Sequence, residues 1–311
     1  MNTVIITGAD GFIGTHLSKY LTDHGYEVYA VVWSGSQTKD RIAGMDHVHM
    51  VEGDLNDYGK LIEKLPQKAC AFIHLAWMGV TPDKRADLSF QMMNVEMAAN
   101  AVKLASEVKA EKFLFPGSTM EYIHYGRPID ERAVPSPLNA YGAAKISARY
   151  ACSILCRQLG VSFVYVVISG IYSEDRDDNN VIYYTIDKLL NREKPSLTRL
   201  EQLWDYIHID DVVYGFRLII EHGKDGAFYA LGHGDNWPLS NYIYMIRDAI
   251  DPDLELGIGD VAYDNNEMPC SCVNLQPIFE DTGFVPGVSF EDGIKRVISE
   301  VRKRRSTKGN I

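Results

Sequence analysis

Along the first half of the chain, short continuous apolar runs alternate with longer stretches of helical period. The runs Thr3–Thr7, Glu27–Val32, Val48–Val51, Ala71–Leu75, Lys112–Pro116 and Ser162–Ile168 read as strands. They are rich in β-branched and aromatic residues and bounded by turn formers, as strands buried on both faces are. Between them, Phe12–Asp23, Tyr58–Leu65, Arg85–Val108 and Leu138–Leu159 carry apolar residues at helical spacing. Strands alternating with helices predict an α/β fold, a doubly wound parallel sheet covered on both faces, with a crevice at the carboxyl ends of its strands.

The rhythm changes after Ile168. Glu174–Asn180 is a polar loop, Val181–Leu190 a helix, and Arg192–Leu200 a proline-containing stretch; Gly257–Pro286 is again irregular, rich in Gly, Pro and Asn. The alternating part, residues 1–168 plus about 204–232, is therefore expected to form one doubly wound domain of Rossmann type, and about 169–203 plus 233–311 a smaller C-terminal α/β lobe.

Composition narrows the function. With 311 residues, 46% hydrophobic and 23% charged, the chain has the balance of a globular protein with a substantial core. Its net charge of -11 disfavours nucleic acid, which demands clustered Lys and Arg. The cluster Arg302–Arg305 is expected to be a solvated tail. No run approaches the roughly 18 apolar residues of a membrane span. No signal peptide precedes the first strand, and an odd count of five cysteines suits a reducing, cytoplasmic compartment. Cys270-Ser271-Cys272 has no second ligand pair to make a zinc site, so no metal is expected.

Two motifs carry chemistry. Thr7–Gly14, T-G-A-D-G-F-I-G, joins the first strand to the first helix. Such a turn lets backbone approach a pyrophosphate closely and points a helix N-terminus at it. In Tyr141-Gly142-Ala143-Ala144-Lys145, the phenol and the ammonium stand i, i+4 on one helix face. A tyrosine of ordinary pKa, about 10, is a weak acid or base at neutral pH. A fixed cation one turn away is expected to lower it.

Together these motifs resemble the extended short-chain dehydrogenase/reductase family of nucleotide-sugar epimerases, dehydratases and reductases. Gly53-Asp54-Leu55 matches the family's adenine-side G-D-L, and His74-Leu75-Ala76 its H-L-A. Asn94-Val95 matches its N-V pair. Phe115–Thr119 stands where the family presents its catalytic Ser or Thr, and Asp205–Val212 matches its D-F/Y-I/V-H-V-x-D-V/A. The resemblance implies that Tyr141 is the acid/base, that Lys145 supports it and binds the nicotinamide ribose, and that Ser118, with Thr119 as runner-up, holds the reacting oxygen. It implies coenzyme contacts at Gly8, Asp10, Gly11, Phe12, Ile13, Trp33, Ser34, Lys39, Asp54, Leu55, Leu75, Ala76, Asn94 and Ile168, besides Tyr141 and Lys145. Substrate contacts are implied at Trp77, Met78, Ser118, Glu121, Asn179 and Asn180.

The family's dehydratases carry an Asp-Glu pair after their catalytic Thr; here those positions are Thr119 and Met120. Dehydration is thereby disfavoured, and Gly117–Tyr122 instead resembles reductases of 4-keto-6-deoxy nucleotide sugars. Family enzymes selective for NAD place an acid after the second strand, but this chain reads Val31-Val32-Trp33-Ser34-Gly35-Ser36. NADP(H) is therefore favoured and NAD(H) second, with Ser34, Ser36, Lys39 or Arg41 near a 2′-phosphate. The expected activity is a 4-ketoreductase; the alternatives are a 4-epimerase and a non-catalytic coenzyme-binding regulator. A homodimer is expected through the helices Arg85–Val108 and Leu138–Leu159, whose alanines allow close contact.

Overall fold

The computed structural model describes residues 2–123, 127–176, 180–263 and 270–308. Its first half runs β1 (Asn2–Thr7), α1 (Phe12–Asp23), β2 (Tyr26–Trp33), β3 (Val48–Gly53), α2 (Gly59–Ile62), β4 (Ala69–His74), α3 (Pro82–Ala86), α4 (Leu88–Glu107), β5 (Ala110–Ser118), α5 (Ala140–Leu159) and β6 (Ser162–Ile168). There follow β7 (Gly170–Tyr172), α6 (Val181–Leu190), β8 (Ser196–Leu197), β9 (Leu203–Trp204), β10 (Tyr206–His208), α7 (Ile209–His222) and β11 (Phe228–Leu231). The chain closes with β12 (Trp237–Pro238), α8 (Leu239–Ile250), β13 (Gly257–Ile258), α9 (Gln276–Thr282) and α10 (Phe290–Lys308).

Seven strands form one sheet in the order β11-β6-β5-β4-β1-β2-β3, every neighbouring pair parallel. The order reverses between β1 and β4, where Thr7 pairs with Val31 on one side and His74 on the other. Connections leave the two strands in opposite directions there, which opens a crevice at their carboxyl ends. One sheet face packs under α4 and α5 through Phe72, Phe113, Phe115, Ala101 and Ala148. The other packs under α1 and α7 through Ile6, Leu17, Val212, Phe216 and Ile219. A third cluster, built on Tyr172, Ile182, Tyr242, Phe290 and Ile294, joins α6, α8 and α10.

Local chemistry explains the boundaries. Helix α5 begins where the Asn139 side chain accepts from Gly142 N at 3.0 Å, and it stops at Gly160, which takes the left-handed backbone (φ 73°). The sequence reading of one helix over Arg85–Val108 is corrected: Asp87 caps α4 by accepting from Phe90 N at 3.0 Å, and α3 is a separate turn before it. The expected helix Tyr58–Leu65 shrinks to Gly59–Ile62, following a 3₁₀ turn, Leu55–Asp57, that Asp54 caps. Arg302–Arg305 is no tail but the last turns of α10. Arg304 donates to the Glu174 carbonyl at 2.8 Å, and Arg305 binds Asn191 at 3.0 Å and pairs with Asp187.

Candidate active site

The glycine turn lies at the switch point. Gly8 takes φ +66°, and a Cβ there would fall 2.7 Å from the Ala76 nitrogen, so only glycine lets the β1 and β4 ends meet. Gly14 is packed as closely, with the Gly8 oxygen 2.4 Å from where its Cβ would be. At Gly11 such a carbon meets only the Gly8 oxygen, at 3.1 Å, and no side chain caps α1. The first-turn N–H groups at Phe12 and Ile13 thus suit the diphosphate of a nicotinamide dinucleotide. Leu75 N donates to Thr7 O at 3.1 Å, which keeps Leu75-Ala76 beside the turn.

Other residues expected at the coenzyme have structural partners here. The buried Asp10 carboxylate accepts from Thr38 at 2.9 Å and from Ser36, tying the turn to the loop after β2. Lys39 donates to the Ser34 carbonyl at 2.7 Å and pairs with Glu52 at 2.9 Å, so it is not a free cation awaiting a 2′-phosphate. Leu55 packs into the core, and Asp54 accepts from Asn56 N at 2.8 Å. Asn94 is fully buried, accepting from Met78 N at 2.8 Å and donating to Met78 O at 3.1 Å, which fixes the loop after β4. Ile168 is a core residue at the end of β6. Trp33 is 63% exposed, with its ring folded over Gly35, and offers an aromatic face at the end of β2.

Across the crevice, Ser118 ends β5 and Tyr141 opens α5, the Ser118 hydroxyl near enough to the phenol to favour its ionised form. Burial pushes Tyr141 up to about 12, reinforced by the Glu121 charge and opposed by Arg85 and the Ser118 hydrogen bond. The expectation that Lys145 lowers Tyr141 is therefore corrected: the cation acting on the phenol is Arg85. Its guanidinium lies 5.3 Å from the Tyr141 ring centre. Lys145 is buried, donates to Pro116 O at 3.0 Å and sits 3.9 Å over the Trp77 ring. Burial pushes its ammonium down to about 8.

The structure separates Ser118 from its runner-up. Thr119 is buried and its hydroxyl accepts from Ser271 at 2.9 Å. Glu121 was expected at the substrate, but it is wholly buried beneath Ser118. It accepts from Ser118 N at 2.7 Å and from the Tyr165 hydroxyl. Burial raises its carboxyl to about 7. Met78 meets Asn94 through its backbone, and Trp77 donates to Gln91 at 2.9 Å while presenting its ring edge-on to Tyr141. Asn180 caps α6, accepting from Ile182 N at 3.0 Å, and Asn179 lies outside the described residues. Sequence reasoning missed Arg85, Gln91 and Tyr165. Recognising Asp87 as a helix cap would have set Arg85 apart from α4.

The NAD-dependent epimerase/dehydratase family model matches residues 4–232, most of the chain. The chain belongs to that family. It is accordingly an enzyme of the nucleotide-sugar epimerases, dehydratases and reductases. It is 23% identical to CDP-abequose synthase of Salmonella muenchen, with 95% of this chain and 97% of that protein covered. It is 21% identical to GDP-6-deoxy-D-mannose reductase of Pseudomonas aeruginosa, with 97% of each covered. The dTDP-glucose 4,6-dehydratase of Streptomyces venezuelae, solved with NAD bound, superposes with a TM-score of 0.84 over 98% of both chains at 21% identity. At that identity the likeness speaks for the fold.

Proposed function

We propose that the enzyme is a 4-ketoreductase of a nucleotide-linked 4-keto-6-deoxy sugar. The observation that carries this reading is the environment of Ser118. A dehydratase needs carboxylic groups facing the sugar to move protons during loss of water. Here Thr119 binds Ser271, Met120 has no acid, and Glu121 is sealed beneath the strand. Among the described residues, Ser118 and Tyr141 offer the crevice a hydroxyl and a phenol. Burial keeps the phenol protonated at neutral pH, the state from which it can deliver a proton to a carbonyl oxygen that is becoming an alkoxide. GDP-6-deoxy-D-mannose reductase, among the relatives, bears a name in keeping with this reading.

A nicotinamide coenzyme, when bound, would supply the hydride. Ser118 hydrogen-bonds the C4 carbonyl oxygen and polarises it, and Tyr141 transfers its proton to that oxygen as charge develops there. Lys145, buried against Trp77, holds the nicotinamide ribose. We assign nucleotide-sugar binding to the lobe of residues 169–203 and 233–311, and residence to a reducing cytoplasm, where the five free thiols are stable.

NADP(H) is the proposed coenzyme, since Trp33-Ser34-Gly35-Ser36 offers no acid against a 2′-phosphate. The Lys39–Glu52 pair favours a second reading, an NAD-dependent 4-epimerase.

One experiment separates the two. Purified protein is mixed with NADPH or NADH and nucleotide-linked 4-keto-6-deoxy sugars, and coenzyme absorbance is followed. Stoichiometric consumption is expected, lost at least about a hundredfold in Tyr141→Phe with coenzyme binding unchanged. Protein that carries one NAD per chain and equilibrates a 4-hydroxyl without net coenzyme use is the epimerase.

A further inference from the structure

Arg85 is placed over the phenol with unusual care. It stands in the last turn of α3, a helix begun by Pro82 and closed by the Asp87 cap of α4. Its backbone N–H donates to Thr81 O at 2.9 Å. Beneath that turn lies Gln91, a fully buried amide that donates to Gly79 O at 2.7 Å and to Lys84 O at 3.1 Å, and accepts from Trp77 Nε1 at 2.9 Å. One glutamine thus fixes the Trp77 ring and the residue before Arg85 together, and the Trp77 ring and Arg85 both lie against the Tyr141 ring.

The guanidinium has no structural employment that explains the position. Its Nε is buried without a hydrogen-bond partner, and among the described residues no carboxylate forms an ion pair with it. A buried unpaired donor costs about 1–3 kcal/mol. A cation left in that condition is adapted to a negative charge that the resting site does not display.

The charged and titratable groups around the Tyr141 phenol are few. Glu121 approaches from the turn after β5 and raises its proton affinity; Arg85 from α3 lowers it. Lys145, on the same helix, lies 6.0 Å from the ring centre with its ammonium directed to Pro116 O. Among the described residues, it is Arg85 that combines proximity with an unused donor.

We propose that Arg85 stabilises the Tyr141 phenolate left behind when the proton is delivered, as a positioning residue acting through Tyr141. This rests on the reading of Tyr141 as the proton donor. It adds a second cation to that site and gives Gln91 a reason to be buried where it is. A cation over the ring favours phenolate over phenol by Coulomb attraction.

The test reads the charge directly. Tyr141 is replaced by 3,5-difluorotyrosine, which titrates within the range where proteins stay folded, and its ring fluorines are followed by NMR. Arg85→Met is expected to raise the apparent pKa by about 1 unit, a tenfold gain in proton affinity, and Arg85→Lys by less. In the unlabelled enzyme Arg85→Met lowers kcat about tenfold, with KM for coenzyme unchanged. Arg85→Gln, which keeps a polar head without charge, gives the same titration shift should the methionine variant fold poorly. An unmoved fluorine titration in a folded Arg85→Met or Arg85→Gln protein overturns the proposal; so does a rise confined to KM for the sugar, which makes Arg85 a substrate ligand. If Tyr141→Phe keeps full activity while the titration still shifts, the ketoreductase reading fails and the electrostatic contact stands.

Discussion

At the scale of single residues, the structure distinguishes groups that face the crevice from groups that hold them there. Ser118, Tyr141 and Lys145 were legible in the sequence because spacing on a strand end and a helix turn decides which way they point. Glu121 was not, since its burial follows from Tyr165 on the next strand, far away in sequence. Its titration has a testable sign. The folded carboxyl is raised to about 7 from its ordinary value, so the folded state holds a proton that the unfolded chain releases. Stability is then fully present at acid pH and declines as pH rises from about 4.5 to 7. The neutral isostere in Glu121→Gln abolishes that decline. Its unfolding free energy should gain on the parent's from pH 5 to pH 8, by an amount on the order of 3 kcal/mol. Glu121→Ala orphans Ser118 N–H and the Tyr165 hydroxyl and should destabilise at every pH. Parallel pH profiles for parent and Glu121→Gln, from thermal melts, would show that Glu121 is not the group titrating.

At the scale of elements, sequence reading succeeded where caps and period agree. β6 was placed to the residue, and α1 and α5 are framed by glycine or asparagine at their ends. It failed where tertiary contacts override period: at Asp87, whose cap interrupts an apolar stripe, and at Tyr58–Leu65, where Gly59 and Pro66 leave a single turn. The C-terminal basic run looked solvated because its partners, Glu174 and Asp187, belong to segments more than a hundred residues earlier. Asn139 ties an element to the chemistry, since its side chain caps α5 one residue before the turn bearing Tyr141. Asn139→Ala should cost about 1 kcal/mol, lowering the melting temperature by roughly 2–4 °C. It should also reduce kcat more than KM, because the first turn frays under Tyr141. Asn139→Ser, which restores an acceptor, should recover both; loss of stability with kcat intact would separate the cap from catalysis.

At the scale of the whole molecule, the surface left by α4 and α5 points to self-association. Of the alanines expected at a dimer contact, Ala99, Ala143 and Ala151 stay half-buried, and the other five do another job. Ala98, Ala101, Ala105, Ala144 and Ala148 are buried within the chain, where they let α4 and α5 pack against each other and onto the sheet. The outward faces of the same helices carry a different set, Met92 at 42% exposed, Met93 at 52%, Tyr150 at 54% and Ile154 at 48%. Large apolar side chains grouped on paired helices are a costly surface for a monomer and a suitable one for a symmetric interface. With a net charge of -11, two copies repel at long range, so association should tighten as salt screens them. Light scattering at micromolar concentration should give twice the chain mass, and the melting temperature should rise with protein concentration. Tyr150→Glu combined with Ile154→Lys should yield monomers that still bind coenzyme, because neither residue reaches the crevice. A parent protein that scatters as a monomer, or whose melting is independent of concentration, would leave these four side chains without a partner copy and end the dimer assignment.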